Sequence, residues 1–399
     1  MKCVILGAGE GKRMRPLTST IPKVMIPLAN RPMVEHLIEA VRDSGITEIL
    51  LVVGYGEERV RGYFGDGTRW GVSLRYVTQR HQRGTADALR SVDGLIRDRF
   101  LLLNGDMILK KTDLAGLVKA ESPCVATYHS DRPEEYGTLT VENDRITSLH
   151  EKVARPPSDL INAGAYVLDS DIFGILKTLP LSERGEYELT DALRAYIERN
   201  ELRAHSLGYW CDVGYPWDLL DANAALLADM EPQRVGTIEE QVTLQGRVSI
   251  GEGTVVRSGT YIEGPCIIGK NCRIGPHTYI RGSTAIGDSC HIGHCTEVKN
   301  SIILEHTNAP HFNYIGDSVI GRGCNLGAGT KIANLRHDRA VVRIGSKDTH
   351  RVKFGAIIGD GVQFGINCSV NVGSIVGSDS RFAPATLVDG LYGDKSKIR

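Results

Sequence analysis

The chain has 399 residues, a formal net charge of −1 at pH 7 and 24% charged residues. This length allows two domains with separate cores, and the balanced charge excludes a basic surface for nucleic acid. No apolar run reaches the roughly 18 residues of a membrane-spanning helix, and the N-terminal apolar segment is too short for a signal peptide. We therefore expect a cytoplasmic protein with neither nucleic acid nor membrane as a partner.

The nine cysteines are an odd number and form no Cys-x-x-Cys pair. Cys290 and Cys295 alternate with His291 and His294, which raises the possibility of a zinc site. Scattered positions are more typical of reduced thiols that pack as small buried residues, and we favour that interpretation. The sequence therefore predicts no disulfides and no structural zinc.

Residues 1–228 alternate between strand and helix patterns. The predicted elements are a strand Lys2–Leu6, a helix Met33–Ser44, a strand Glu48–Val53, a helix Glu57–Phe64, a strand Ser73–Val77, a helix Thr85–Leu95 and a strand Phe100–Asn104. This βαβ series predicts an α/β domain with a mainly parallel sheet. Ligands in such sheets bind beyond the carboxyl ends of the strands, where Gly7–Arg15 and Asp106 are expected to lie.

From residue 242 the pattern changes to one aliphatic residue every six positions. The first run holds Leu244, Ile250, Val256, Ile262, Ile268, Ile274, Ile280, Ile286, Ile292, Val298 and Leu304. Further runs reach residue 388, and together they predict a parallel β-helix of hexapeptide repeats over residues 242–399. Residues 229–241 are the predicted linker. Residues 305–314 and 334–357 fall out of register and are predicted to be excursions that carry binding residues.

A glycine loop follows the first strand. Residues 6–18 read Leu-Gly-Ala-Gly-Glu-Gly-Lys-Arg-Met-Arg-Pro-Leu-Thr, and Pro22 and Lys23 follow. Backbone N–H groups in such a loop can approach phosphate oxygens. A Walker A motif and a dinucleotide fingerprint are excluded, because Leu6 and Lys12 stand where each requires glycine. With fixed charges at Arg13 and Lys23, the loop predicts a site for nucleotidyl transfer.

This segment resembles the sugar-1-phosphate nucleotidylyltransferases, whose signature is G-x-G-x-R-x-x-P-L-T followed by P-K. The resemblance implies a Rossmann-like domain and continues at further motifs, which are Gln79 with Gln82–Thr85, Asn104–Asp106, Tyr136-Gly137, Glu151-Lys152, Asn162–Gly164 and Trp210–Gly214. In this family a sugar-1-phosphate oxygen attacks the α-phosphorus of a nucleoside triphosphate, and pyrophosphate leaves. Such chemistry requires alignment and charge neutralisation more than acid–base groups.

The resemblance assigns roles to named positions. Arg13 and Lys23 would stabilise the phosphates, and Asp106 and Asp212 would bind Mg²⁺. The residues implied for the nucleotide, UTP or dTTP, are Gly7, Gly9, Gly11, Gln79, Gly84 and Thr85. The residues implied for the sugar phosphate are Gly137, Glu151, Lys152 and Asn162.

Two positions depart from the family pattern, and a third differs between branches of the family. Gly7 stands where alanine is usual, and Val153 replaces a common proline. Asp212 resembles the thymidylyltransferase branch, because bacterial bifunctional uridylyl enzymes usually carry asparagine there. The preference between UTP and dTTP therefore stays open.

The C-terminal half carries a second signature. Residues 311–317 read His-Phe-Asn-Tyr-Ile-Gly-Asp, and residues 325–334 read Asn-Leu-Gly-Ala-Gly-Thr-Lys-Ile-Ala-Asn. They resemble the acetyltransferase half of the bifunctional glucosamine-1-phosphate acetyltransferases/N-acetylglucosamine-1-phosphate uridyltransferases, in the archaeal two-domain form. The resemblance implies that His311 is the general base, with acceptor and acetyl-CoA contacts from Arg281, Lys299, Tyr314, Asn325, Ala328 and Asn334. It also implies a left-handed β-helix and a homotrimer.

The two resemblances predict a bifunctional enzyme. It would acetylate glucosamine-1-phosphate with acetyl-CoA and then couple the product to UTP with Mg²⁺, giving UDP-N-acetylglucosamine and pyrophosphate. One alternative is a monofunctional glucose-1-phosphate thymidylyl- or uridylyltransferase whose β-helix serves assembly alone. The other is a non-enzymatic regulatory subunit, which Lys23, Asp106, Asp212 and His311 argue against.

Overall fold

The computed structural model describes residues 1–120 and 123–399. The chain divides into two compact units. The first unit comprises residues 1–10, 21–25 and 33–212, and the second comprises residues 11–20, 26–32 and 213–399. The packing therefore assigns two short N-terminal segments and residues 213–228 to the same unit as the repeats, whereas the sequence predicted a boundary at residue 228.

The first unit is built on a nine-stranded sheet. Its strands, in spatial order, are Ser73–Thr78, Glu48–Val53, Lys2–Leu6, Phe100–Asn104, Leu160–Leu168, Cys124–His129, Arg203–Ser206, Arg145–Glu151 and Gly137–Glu142. The first four are parallel, as predicted, and the order places Lys2–Leu6 in the middle of them. Leu160–Leu168 then pairs antiparallel with Phe100–Asn104, so the sheet is mixed beyond that strand. Trp210–Asp212 and Met107–Leu109 form a separate antiparallel pair.

Helices flank this sheet. The α-helices of the first unit are Met33–Asp43, Glu57–Phe64, Thr85–Arg90, Lys111–Lys119, Ile172–Thr178 and Leu189–Ile197, and its 3₁₀ turns are Lys23–Met25, Thr68–Trp70 and Pro133–Glu135. Met33–Asp43 buries apolar residues at helical spacing and stops before Gly45, as the sequence predicted. Thr85–Arg90 is shorter than the predicted Thr85–Leu95: it ends with Ser91 as its C-cap, and Gly94 in the remaining segment adopts φ +80°, which is not helical.

The second unit is a parallel β-helix with three sheets, consistent with the predicted left-handed form. The strands of the first sheet are Thr237–Ile238, Val255–Val256, Arg273–Ile274, His291–His294, Asn308–His311, Asn325–Leu326, Gln363–Phe364, Arg381–Phe382 and Lys397–Ile398. The second sheet holds Thr243–Gln245, Tyr261–Glu263, Tyr279–Ile280, Glu297–Lys299, Tyr314–Gly316, Lys331–Ile332, Ser369–Val370 and Leu387–Val388. The third holds Val248–Ile250, Cys266–Ile268, Thr284–Ile286, Ile302–Ile303, Val319–Ile320, Ala356–Ile358, Ser374–Val376 and Leu391–Tyr392. The first strand, Thr237–Ile238, lies inside the segment predicted as a linker.

The repeat residues point inward and form one continuous core. The predicted register holds through Val298, but Leu304 is wrong as its next member, because Ile303 occupies the core and pairs with Ile286. The coil has become one residue shorter at this turn. Ala309 and Ile315 then continue the core one residue earlier than the original period requires, and Ile320 continues it two residues earlier.

Residues 305–314 are therefore not an excursion, and that prediction is wrong. They contribute the strand Asn308–His311, which pairs in parallel with His291–His294. Residues 334–357 do leave the coil: they hold the antiparallel hairpin of Arg343–Ile344 and Lys347–Asp348 and return at Ala356–Ile358. Phe354, at the end of this excursion, is fully buried.

The N-terminal segments of the second unit are bonded to the β-helix and to the helix Asp218–Ala228. Their own elements are the 3₁₀ turns Lys12–Met14 and Leu17–Ser19 and the two-stranded pair of Pro27–Leu28 with Arg31–Pro32. Thr20 Oγ1 donates to Asp360 Oδ2 at 2.7 Å, and Asn30 Nδ2 donates to the Ile286 carbonyl at 2.7 Å. The backbone N–H of Ala29 donates to Asn223 Oδ1 at 2.9 Å.

Two composition-based expectations can be compared with the fold. All nine cysteines are unpaired, and seven of them are buried. Among residues 1–120 and 123–399, no helix is long and apolar enough to cross a membrane.

Candidate active sites

Lys23 and Asp106 form a direct ion pair in the first unit. Asp106 follows the strand Phe100–Asn104, and Lys23 opens a 3₁₀ turn. Lys23 Nζ lies 2.5 Å from Asp106 Oδ2, and Lys23 is only 7% exposed. An ammonium at that depth requires a partner, so the carboxylate fixes its position. Gly105 makes the turn possible, because a Cβ there would lie 2.6 Å from the Leu6 carbonyl oxygen.

Asp212 stands beside this pair. In the antiparallel pairing of Trp210–Asp212 with Met107–Leu109, Asp212 is opposite Met107, the residue after Asp106. Mg²⁺ prefers oxygen ligands and is commonly held by one or two carboxylates together with substrate phosphates and water. Within the described residues no group of three or more His, Cys, Asp and Glu is arranged to hold a metal. Two neighbouring carboxylates fit a site that substrate phosphates complete.

The first part of the glycine loop is anchored to the sheet. The backbone N–H of Gly7 donates to the Val52 carbonyl at 2.8 Å, and Gln82 Nε2 donates to the Ala8 carbonyl at 2.8 Å. A Cβ at Gly9 would meet no atom within 4 Å, so the loop is open on that side. This is the arrangement that a phosphate cradle requires.

Gln79, Gly84 and Thr85, the residues predicted to bind the base, are held together. Gln79 Nε2 donates to the Gly84 carbonyl at 3.2 Å and to Asp87 Oδ2 at 3.0 Å. Gly84 has φ +105°, and a Cβ there would lie 2.4 Å from the Tyr187 carbonyl oxygen. Thr85 Oγ1 accepts the backbone N–H of Leu189 at 3.1 Å. Only glycine fits at position 84, and Thr85 also holds the first residue of the helix Leu189–Ile197.

The predicted sugar-phosphate residues also converge. Gly137 is paired with Glu151 across adjacent strands, and a Cβ at Gly137 would lie 2.9 Å from Glu151 Oε2 and 3.9 Å from Asn162 Cβ. Asn162 Oδ1 accepts the backbone N–H of Gly164 at 3.0 Å. Lys152 has φ +48°, and its Nζ lies 4.0 Å from Glu151 Oε1. A glycine at 137 thus leaves the Glu151 carboxylate accessible from that side.

Sequence reasoning assigned no role to Arg184, although it lies at this cluster. Its Nη2 is 3.3 Å from Glu151 Oε1, and its guanidinium also pairs with Glu188. Burial raises the pKa of Glu188, but hydrogen bonds from Arg184 and Ser182 outweigh it, so that pKa is lowered overall. The sequence did contain a signal for the Arg184–Glu188 ion pair, because the two residues are four positions apart in the segment Ser182–Thr190.

Gly11 and Arg13 belong to the second unit. Gly11 has φ +68° and precedes the 3₁₀ turn Lys12–Met14. The guanidinium carbon of Arg13 lies 5.1 Å from the centre of the Tyr215 ring. Tyr215 stacks on Trp217 with centroids 4.7 Å apart and an interplanar angle of 3°. Tyr215 is a contact of Arg13 that sequence reasoning did not identify.

The β-helix brings three of its predicted site residues together. Lys299 and Asn334 both contact the buried carboxylate of Asp317, and Lys299 Nζ lies 3.1 Å from Asp317 Oδ2. A Cβ at Gly316 would lie 2.8 Å from the Tyr314 hydroxyl and 2.7 Å from Asn334 Nδ2, so both groups border the same space. Burial, followed by the charges of Glu297 and Asp317, raises the pKa of Tyr314, which therefore stays a neutral hydroxyl.

Arg281 belongs to the neighbouring coil. It directly follows the strand Tyr279–Ile280, its Nη1 lies 3.2 Å from Glu297 Oε1, and its guanidinium carbon lies 5.6 Å from the Tyr279 ring centre. Glu297 pairs with Tyr314 on the next coil of the same sheet. Two cations, Arg281 and Lys299, therefore stand at the ends of strands in one sheet, as a phosphate contact requires.

His311 is placed differently. It ends the strand Asn308–His311, is exposed, and donates its backbone N–H to Asn313 Oδ1 at 3.1 Å. Along the chain it lies before the strand Tyr314–Gly316, whereas Asp317 lies after that strand. Asn325 pairs with Asn308 on the next coil, and the Ala328 carbonyl accepts the backbone N–H of Asn367 at 2.8 Å. His311, Asn325 and Ala328 thus lie in or just after strands of the first sheet, whereas Lys299 and Asn334 lie at or just after the ends of strands of the second sheet.

Comparisons with known proteins show to which family the chain belongs. A family model described as nucleotidyl transferase matches residues 2–229, and one described as GMPPB C-terminal domain matches residues 262–392. The chain is 41% identical over 396 residues to "Bifunctional protein GlmU" of Methanococcus maripaludis strain S2, covering 98% of this chain and 95% of the relative. It is 37% identical over 409 residues to "Bifunctional sugar-1-phosphate nucleotidylyltransferase/acetyltransferase" of Sulfurisphaera tokodaii, with 100% of both chains covered.

A solved structure matches part of the chain. It is described as a putative glucose-1-phosphate thymidylyltransferase from Bacillus anthracis in complex with a sucrose. The match has a TM-score of 0.54 and 30% sequence identity, and it covers 58% of this chain and 97% of that one.

The fold and the first site therefore define a nucleotidyl transferase. The chain belongs, over its whole length, to the family of bifunctional sugar-1-phosphate nucleotidylyltransferases/acetyltransferases. This confirms the predicted family resemblance, the fold class and the class of enzyme.

Proposed function

We propose that the chain makes UDP-N-acetylglucosamine in two steps, with acetyl transfer on the β-helix and nucleotidyl transfer in the α/β domain. The observation that carries the acetyl step is the convergence of Lys299 and Asn334 on the buried carboxylate of Asp317 beside Tyr314. A β-helix that served assembly alone would not need a cation, an amide and a phenol gathered around one buried charge. Relatives named for both activities support the same proposal.

In the acetyl step, the amine of glucosamine-1-phosphate attacks the thioester carbonyl of acetyl-CoA. The new C–N bond forms, the C–S bond breaks, and the imidazole of His311 takes the amine proton and returns it to the departing thiolate, so that coenzyme A leaves as the thiol. Arg281 and Lys299 would bind the acceptor phosphate, and Tyr314 and Asn334 would orient the sugar. Asn325 and Ala328 would contact acetyl-CoA.

In the nucleotidyl step, a phosphate oxygen of N-acetylglucosamine-1-phosphate attacks the α-phosphorus of UTP, and pyrophosphate leaves. Lys23 and Arg13 would neutralise charge on the phosphates, and the backbone N–H groups at Gly9 and Gly11 would orient them. Gly7, whose backbone N–H donates to the Val52 carbonyl, would anchor the loop instead of donating to a phosphate. Gln79, Gly84 and Thr85 would bind the base. The sugar phosphate would contact Gly137, Glu151, Lys152 and Asn162.

Asp106 and Asp212 would hold Mg²⁺ in this step, because neighbouring carboxylates are its preferred protein ligands. When bound, the ion supplies charge neutralisation at the phosphates. The Lys23 ammonium, 2.5 Å from Asp106 Oδ2, would fix the position of that carboxylate.

We further propose UTP as the preferred nucleotide and a homotrimer as the assembly. The sequence resemblance to uridyltransferases of the bifunctional type supports the first choice, whereas the likeness to a putative glucose-1-phosphate thymidylyltransferase leaves dTTP as the competing outcome. Exposed apolar side chains such as Phe312 and Ile366 on the β-helix are suited to contacts between copies. Light scattering on the purified protein would give three times the chain mass, and a monomer mass would contradict the trimer.

The deciding experiment measures thiol release from acetyl-CoA with glucosamine-1-phosphate as acceptor and glucose-1-phosphate as control. Release with the amino sugar alone supports the proposal, and His311→Ala should abolish it while pyrophosphate release from UTP continues. His306→Ala is the matched control, since it changes a histidine outside the site motifs. If the protein forms pyrophosphate but releases no thiol, the acetyl step is contradicted and the protein is a monofunctional nucleotidyltransferase.

A further inference from the structure

Asp317 is a buried carboxylate to which the sequence motifs gave no role. It is 3% exposed and follows the strand Tyr314–Gly316 with φ +49°. Its backbone N–H donates to the Lys299 carbonyl at 2.9 Å, and its carbonyl accepts the Gly355 N–H at 2.8 Å. Both contacts cross to neighbouring coils, so the backbone of Asp317 is fixed between them.

Three side chains donate to this carboxylate. Asp317 Oδ2 accepts from Lys299 Nζ at 3.1 Å and from Asn334 Nδ2, and Oδ1 accepts from Asn300 Nδ2 at 2.7 Å. These contacts compensate the burial of the charge, which would otherwise be strongly unfavourable. Asp317 thus connects two predicted acceptor-binding residues that lie on different coils.

The chemistry of a carboxylate fixes the orientation of the amide. An ionised carboxylate only accepts hydrogen bonds, so the NH₂ group of Asn334 must face Asp317. The Asn334 carbonyl oxygen is then directed away from Asp317. Gly316 leaves room for this arrangement, because any Cβ at that position would come within 3 Å of Asn334 Nδ2 and the Tyr314 hydroxyl.

We propose that Asp317 is a positioning residue for acetyl transfer: it fixes Lys299 at the acceptor phosphate and turns the Asn334 carbonyl oxygen toward the acceptor amine. This inference rests on the acetyl transfer proposed above. An amide oxygen that accepts one N–H of the amine directs the nitrogen lone pair toward the thioester carbon. Such alignment acts on the chemical step more than on binding.

The test is Asp317→Asn, which keeps the shape of the side chain and removes its charge. The introduced amide can face Asn334 with either its oxygen or its nitrogen, so the orientation of Asn334 is no longer fixed. We expect kcat for acetyl transfer to fall about 10- to 100-fold, with KM for glucosamine-1-phosphate changed less than about 3-fold. Uridylyl transfer by the same protein should be unchanged.

A matched control separates positioning from folding. Asp288→Asn makes the same change in an exposed turn carboxylate that accepts the Lys270 backbone N–H at 2.7 Å, and it should leave kcat unchanged. If Asp317→Asn does not fold, Asn300→Ala tests the same carboxylate by removing its Oδ1 partner. Asn300→Ala should lower kcat in the same direction, and an unchanged kcat would overturn the proposal.

The double variant Asp317→Asn/Asn334→Ala gives a second readout. If Asp317 acts through Asn334, the double variant loses no more kcat than Asn334→Ala alone. Additive losses, or a KM that rises while kcat holds, would overturn the proposal. Absence of acetyl transfer by the unmodified protein is a different result, because it would contradict the proposed function itself.

Discussion

The guanidinium of Arg13 rests on the ring of Tyr215, with 5.1 Å between its central carbon and the ring centre. Tyr215 in turn stacks on Trp217, whose ring meets the buried Phe354 edge-on with centroids 6.3 Å apart. Arg13, which belongs to the glycine-loop signature, is therefore held by an aromatic ring that lies far from it along the chain. The cation–π contact limits the positions that a long, flexible side chain can adopt.

We predict that Tyr215→Leu weakens nucleotidyl transfer, whereas Tyr215→Phe does not. Loss of the ring removes a contact worth about 0.5–2 kcal/mol, which corresponds to about a 2- to 30-fold drop in kcat/KM for the nucleotide. Steady-state pyrophosphate release measures this effect. Equal losses in the leucine and phenylalanine variants would contradict the role of the ring and point to the hydroxyl instead.

Lys23→Met should abolish most nucleotidyl transfer without stopping acetyl transfer. The substitution removes the charge proposed to stabilise the phosphates and leaves Asp106, 2.5 Å from the lost ammonium, without that partner. We expect a fall in kcat of at least about 100-fold. Acetyl-CoA-dependent thiol release in the same sample serves as the internal reference.

The control for that variant is Lys177→Met. Lys177 pairs with Asp93 at 3.0 Å, but its side chain is largely exposed, and such surface pairs contribute little. Nucleotidyl transfer should stay within about 2-fold of the unmodified protein. If Lys177→Met were as damaging as Lys23→Met, the effect would reflect general loss of charge rather than the site.

Much of both folds followed from the sequence, because period and strand–helix alternation are local properties. The wrong assignment of Leu304 to the core shows the limit of prediction from the period. Ile303 and Leu304 are both aliphatic, so the hydrophobic pattern does not reveal that this coil is one residue shorter. Only the pairing of Ile303 with Ile286 shows which of them enters the core. The predicted excursion at residues 305–314 was a consequence of the same slip.

The site residues found only in the structure share one property. Tyr215, Arg184 and Asp317 act on side chains that belong to other strands, turns or coils. A motif names residues that touch a common ligand, but it does not show which neighbours hold them in place. The family resemblance brought Glu151 and Asn162 into one predicted group, whereas their contact with Gly137 follows from strand pairing. The roles proposed for these residues stay predictions.

Gly84→Ala should both destabilise the first unit and reduce nucleotide binding. The position has φ +105°, and the added Cβ would lie 2.4 Å from the Tyr187 carbonyl oxygen, a backbone atom that cannot move independently. We expect a loss of more than about 2 kcal/mol in unfolding free energy, together with a raised KM for UTP.

Gly94→Ala is the matched control for that substitution. Gly94 also has a positive φ, +80°, but a Cβ there would meet no atom within 4 Å. It should therefore show only the backbone term of about 1 kcal/mol, with KM unchanged. Similar losses for the two variants in chemical denaturation would show that strain at φ, rather than the contact with Tyr187, dominates at Gly84.

Cys295 should react with a thiol reagent before the other cysteines. It is exposed, and its Sγ lies 3.2 Å from His294 Nε2, whereas burial raises the pKa of Cys124 to about 11 and that of Cys324 to about 12. A raised pKa means that at pH 8 only about 1 in 1,000 or fewer of such thiols is the reactive thiolate. Disulfide exchange with a chromogenic reagent should show one fast thiol in the folded protein, absent from Cys295→Ser. Fast release of more than two equivalents would contradict the burial of the seven buried cysteines, since Cys211 is partly exposed.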